Sequence, residues 1–123
     1  MKKIVRIISI CAAICSLIAV LSSCGYPDFV GNKIKTRHEY LLDFSALNRE
    51  EKQEIEFNEG DGIAVEISLT EGEVALSVYC GSERLYSDNG LSAEKFTLTV
   101  KKSGRYTVSV TGKKARGKVR LEY

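Results

Sequence analysis

From His38 to the end of the chain, apolar side chains recur at every second position. Tyr40, Leu42 and Phe44 open the pattern, and Ile55 and Phe57 follow it. Ile63, Val65, Ile67 and Leu69 keep it almost strictly, as do Val74, Leu76 and Val78. Phe96, Leu98 and Val100, then Tyr106, Val108 and Val110, then Val119, Leu121 and Tyr123 complete it. The positions between hold Glu54, Glu56, Glu66, Ser68, Thr97, Thr99, Thr107 and Ser109. Successive strand residues point to opposite faces, so this alternation demands antiparallel strands with one dry and one wet side. Turn signals separate the runs: Gly60-Asp61-Gly62, Glu71-Gly72, Ser87-Asp88-Asn89-Gly90, Ser103-Gly104 and Gly112-Lys113-Lys114. Strands at such intervals, joined by short glycine-bearing turns, predict an all-β antiparallel sandwich of about seven or eight strands. Asn48-Arg49-Glu50-Glu51 has the spacing of a capping box and reads equally as a helical turn or a plain loop.

The first 24 residues follow another logic. Lys2, Lys3 and Arg6 precede an apolar stretch that ends in Leu21-Ser22-Ser23-Cys24. A charged start, an apolar middle and a small-residue cleavage site form a secretion signal. The aliphatic residue, the two small residues and the cysteine resemble the lipobox of bacterial lipoproteins, with Gly25 following. The resemblance implies cleavage before Cys24 and a covalent diacylglycerol and N-acyl lipid on that residue. It places the mature chain on the extracytoplasmic face of the cell membrane or outer membrane. An uncleaved signal anchor is the alternative; its apolar run, Ile7 to Leu21, is shorter than the ~20 residues of a spanning helix. The chain thus divides into a signal peptide (1–23), a lipidated N-terminus and tether (24–37) and a β-sandwich domain (38–123). Residues 25–37, with Pro27, Gly31 and Asn32, show little periodicity and read as a spacer.

Cleavage would leave Cys80 as the one free thiol. It shares the alternation of Val74, Leu76 and Val78 and reads as a small buried filler. Charge is split along the chain: residues 50–94 hold 12 acidic and 2 basic side chains, whereas residues 95–123 hold 9 basic ones and Glu122. Such asymmetry either orients the molecule toward partners or pairs across neighbouring strands. Nucleic acid is not an expected partner of an exported domain.

The second half, with Phe96-x-Leu98-x-Val100, Gly104-Arg105-Tyr106 and Gly117-Lys118-Val119-Arg120-Leu121, resembles the closing hairpins of small secreted β-sandwich domains. The bacterial prepeptidase C-terminal domains are one such group. The Asp-Leu-Tyr-Leu strand motif of that group is absent, Leu76-Ser77-Val78-Tyr79 being the nearest segment. The resemblance implies a fold and no activity.

Chemistry-bearing constellations are sparse. His38 is the single histidine and lies beside the spacer, so neither a nucleophile–histidine system nor a zinc site is expected. Glu59, Asp61, Asp88 and Asn89 lack the spacing of a calcium loop. No catalytic residue, metal or non-covalent cofactor is assigned. The candidate ligand-binding residues are Tyr79 and Tyr86, expected to face outward, and the basic run Lys113, Lys114, Arg116 and Lys118. The run suits either contact with anionic headgroups or a solvated hairpin turn whose charge prevents edge pairing. These features predict a non-enzymatic binding or scaffolding module, held at the membrane by its lipid. The alternatives are an accessory subunit that docks another exported protein and a module that binds cell-wall glycan or polymer.

Overall fold

Two 19-residue strands, far longer than the five or six residues usual in a sheet, organise the molecule. The computed structural model describes residues 27–123, which form seven antiparallel strands and no helix. These are β1 (Phe29–Lys35), β2 (Glu39–Leu47), β3 (Glu50–Phe57), β4 (Gly62–Cys80), β5 (Glu83–Leu91), β6 (Ala93–Thr99) and β7 (Gly104–Glu122). All are hydrogen-bonded into one sheet. The proposed signal peptide and Cys24 lie outside the described residues.

The sheet is folded over on itself because β4 and β7 each serve two layers. The first half of β4 pairs with β6 and with the second half of β7, which in turn pairs with β2 and so with β1. The second half of β4 pairs with β5 and with the first half of β7, which pairs with β3. The result is a sandwich with layers β1-β2-β7-β4-β6 and β3-β7-β4-β5. A single cluster joins them: Leu42, Val65 and Leu121 from one layer meet Phe57, Leu76 and Val108 from the other. Phe57 stacks edge-on against Tyr123 at 5.0 Å between centroids.

How one strand can face the core from both layers is visible in its parity. In β4 the buried positions are odd up to Ile67 and even from Val74 onward. In β7 the buried apolar positions are even up to Val110 and odd from Ala115 onward. Irregular pairing between Leu69 and Glu73 absorbs the change in β4. In β7 it falls at Lys114, whose φ of 46° is the one positive value at a non-glycine among the described residues. Gly72, at φ 72°, lies against this corner; a Cβ there would overlap the carbonyls of Lys113 and Lys114. The sequence pattern suggests turns at Glu71-Gly72 and Gly112-Lys113-Lys114. Both are instead bends within continuous strands.

Of the six layer crossings, four fall at one end of the sandwich. They are the bends of β4 and β7, the β2–β3 connection at Asn48-Arg49 and the β5–β6 connection at Ser92. Asn48 Oδ1 accepts from the Lys114 N–H (3.0 Å), and the Ser92 carbonyl accepts from Leu69 N–H (2.8 Å). We call this the folded end. The opposite, open end carries residues 58–61, the β4–β5 turn, residues 100–103 and Tyr123.

One expectation is corrected, and one open alternative is decided. Residues 29–35, expected within a spacer, form edge strand β1, paired along its length with β2. Its seven positions are exposed or half-buried, so no apolar alternation marks it. Asn48-Arg49 is a plain crossing between strands, with no helical turn.

Candidate binding surfaces

Of the two tyrosines expected to face outward, one does. Tyr79 sits between Thr107 and Arg84, half-buried on the outer face of the second layer. Tyr86 is opposite Val78, a fully buried residue, so it turns toward the core margin. There it packs on Phe96 of the other layer at 4.8 Å, closing the sandwich along the β5–β6 edge. Burial, then the charges of Asp88 and Glu94, push the Tyr86 hydroxyl pKa upward. The expected outward orientation of Tyr86 is therefore corrected: bulges in the β4–β5 ladder shift the register that parity alone assumes.

The basic run is distributed over a corner rather than gathered on one hairpin turn. Lys113 and Lys114 lie at the bend, and Arg116 and Lys118 extend along the outer face of the first layer, with Ala115 buried between them. Lys113 approaches Glu73 at 3.8 Å. Arg116 is opposite Glu71, and Lys118 is opposite Asp43 and Ser68. Tyr79 is at the far end of β4 from this corner, so the six candidate residues do not form one site.

A residue absent from that expectation joins the corner. Arg49 holds Glu51 through Nε (2.7 Å) and a second nitrogen (2.6 Å) and lies over the Phe29 ring. Lys33 reaches the same carboxylate at 3.5 Å and donates to the Lys52 carbonyl, so β1 of one layer is tied to β3 of the other. Glu51 is a charged position on the core side of β3, opposite Val110. Its burial is tolerable because two cations and a hydrogen bond compensate it. Beside it, Tyr40 is fully buried with its hydroxyl unpartnered among the described residues. Burial first, and the Glu51 charge second, raise the Tyr40 pKa far above the ordinary tyrosine value. Charge alternating with apolar residues at Glu51 and Ile55 could have signalled this clamp. Its partners, distant in sequence, could not be read.

The split charge of the chain is spent largely across strands. Arg105 reaches Glu54 (3.6 Å) and Glu56 (4.0 Å), and Lys95 reaches Glu66 (3.9 Å). Arg120 binds Glu39 at 2.6 Å and also Glu122, and the hydrogen bond to Glu39 raises its pKa further. A shallow groove of about 370 Å³ beside this network is floored by Ala64 and Thr97 and flanked by Glu66, Lys95, Arg120 and Glu122. It offers paired charges and small side chains, a surface suited to a polar partner.

The other chemistry-bearing groups hold structure. His38 Nδ1 lies 3.0 Å from the Tyr123 carbonyl, and its own carbonyl accepts from Tyr123 N–H, fixing the last residue to the β1–β2 turn. Asp61 Oδ2 accepts from Asn58 N–H within its turn, and Asp88 Oδ1 accepts from Asn89 N–H. Cys80 is half-buried at the core margin, less enclosed than its alternation implied, and approaches Gly104 so closely that a Cβ there would lie 3.1 Å from its sulfur. The chain matches no protein-family model and no curated protein.

Proposed function

We propose that this chain is a lipid-anchored, extracytoplasmic, non-enzymatic binding or scaffolding module of the bacterial cell envelope. The observation that carries the reading is Leu21-Ser22-Ser23-Cys24 placed directly before a single β-sandwich. Two acyl chains on Cys24 give stable attachment, each buried CH₂ contributing about 0.8 kcal/mol. The side chains that could otherwise suggest chemistry support a binding role by their engagement: His38 fastens the C-terminus, Asp61 closes a turn, and the strand carboxylates pair with Arg105, Lys113 and Arg120. The partner is a second exported protein or a cell-wall polymer, with the polar groove along Glu66, Lys95, Arg120 and Glu122 as the contact surface.

Metabolic labelling with a palmitate analogue, combined with fractionation, tests the anchor. The native chain should label and sediment with membranes, and Cys24→Ser should do neither; labelling that persists in the variant overturns the reading. Affinity capture of the native protein against Arg120→Glu tests the surface. Partners or wall polymer lost from the variant support the groove, and unchanged capture rejects it.

A further inference from the structure

The geometry points to the folded end of the sandwich as a membrane-docking face that meets anionic phospholipid headgroups through Lys113, Lys114 and Arg116. This inference rests on the lipid at Cys24 and adds an orientation to it.

Only a short leash joins Cys24 to the sandwich. Strand β1 begins at Phe29, opposite Leu47, and Asn48 N–H donates to the Asp28 carbonyl at 2.7 Å. The chain therefore enters the fold at the folded end, five residues after Cys24. Fully extended, that stretch spans roughly 17 Å. The eight paired residues from Gly62 to Leu69 alone run roughly 26 Å along the layer. The leash is too short for the sandwich to stand inverted, open end against the lipid and folded end uppermost, while Cys24 remains inserted. The end bearing Asn48 and Lys114 must stay close.

That end displays cations beside the point of entry. Leu47 is opposite both Phe29 and Ala115, so the point of entry and the basic corner are adjacent. Lys113, Lys114 and Arg116 are exposed there, as is Val30 of β1. Glu71 and Glu73 share the corner, and Glu73 offsets Lys113. Lys114 and Arg116 have no ion-pair partner among the described residues. Each such cation near an anionic surface shifts the balance by about fivefold. Alone this would bind nothing, but on a tethered domain it is enough to select an orientation.

Lys114 occupies the left-handed position of the β7 bend. The corner requires a left-handed residue, a conformation that glycine or asparagine adopts at lower cost. The position holds a lysine, its N–H fixed by Asn48 and its side chain exposed. A long cation at a strained bend is accounted for if its charge is used.

The consequence is a defined polarity. The open end, with residues 58–61, the β4–β5 turn and Tyr123, projects away from the bilayer toward any partner.

The test uses the full lipidated protein in a Cys80→Ser background, with a fluorophore on Ser92→Cys at the folded end or on Lys102→Cys at the open end. Each is reconstituted in vesicles of phosphatidylcholine alone, or with phosphatidylglycerol, containing a headgroup-attached quencher. Quenching should be strong at position 92, weak at position 102, and greater at position 92 when phosphatidylglycerol is present. The Lys114→Glu, Arg116→Glu double variant should lose that lipid dependence while still partitioning into detergent. Equal quenching at both positions, or no response to phosphatidylglycerol, overturns the docking face. Failure of the native protein to partition into detergent would instead remove the lipid anchor, and this inference with it.

Discussion

Replacing Gly72 with alanine should cost more than replacing Gly60, although both glycines have positive φ. At Gly60 (φ 92°) an added Cβ meets nothing within 4 Å, so only backbone strain is felt. That strain is about 1–2 kcal/mol for an alanine in left-handed space. At Gly72 (φ 72°) the same strain applies, and the new methyl lies within 2.5 Å of the Lys114 carbonyl carbon. No flexible side chain can yield there, because the obstacle is the backbone of β7. The β4 and β7 bends must separate, a distortion of the overpacking kind that adds about 1–3 kcal/mol. Gly72→Ala should therefore lose about 2–5 kcal/mol in total, much of the stability of a domain this size. Urea unfolding followed by circular dichroism reads both variants against the native protein, with m unchanged for a comparison to be valid. In melting temperature the difference between variants should be at least about 4 °C. Equal losses for Gly60→Ala and Gly72→Ala would show that the two bends do not touch, and the strand-switching corner would be wrong.

Four further substitutions test the same geometry. Tyr40→Phe removes a buried hydroxyl without a partner and should leave stability unchanged or raise it by about 1 kcal/mol. Because folding raises the Tyr40 pKa above 10.0, its neutral form favours the folded state, a contribution intact below pH 10 and lost as pH climbs beyond it. The variant's stability should thus fall less steeply in strong alkali; an identical alkaline slope would contradict this. Glu51→Gln should cost about 1–2 kcal/mol in denaturant unfolding, and the loss should persist in high salt because the carboxylate is shielded. Glu66→Gln, which breaks a solvent-exposed pair with Lys95, should be within about 0.5 kcal/mol of native; a larger loss there would refute the ranking. Lys114→Gly should stabilise the fold by about 1 kcal/mol by removing left-handed strain, while weakening the response to phosphatidylglycerol; destabilisation would show that the lysine supports the corner.

The sandwich was legible because alternation survives wherever a strand has one buried face. The parity change between Leu69 and Val74, and again between Val110 and Val119, was legible too, but it has two physical meanings. A turn between separate strands and a bend within one strand both reverse which face is buried. Pairing of residues far apart in sequence, such as Asn48 with Lys114, decides between them, and spacing does not record it. Strand β1 was invisible for a related reason. As an edge strand with no buried face it carries the composition of a spacer, and only its ladder to β2 reveals it. The basic run was recognisable as a cluster along the chain. Its position at the chain's point of entry depended on the Phe29–Leu47–Ala115 pairing and could not be seen beforehand.

The anchor and the orientation of the domain both depend on the chemistry of one sulfur atom. Intact-mass and peptide mass spectrometry of the protein purified from membranes addresses it directly. The N-terminal peptide should begin at Cys24 and carry the mass of a thioether-linked diacylglycerol, with or without an amide-linked acyl chain. A chain that still begins at Met1, or a Cys24 with a free thiol, would contradict the anchor and the orientation derived from it.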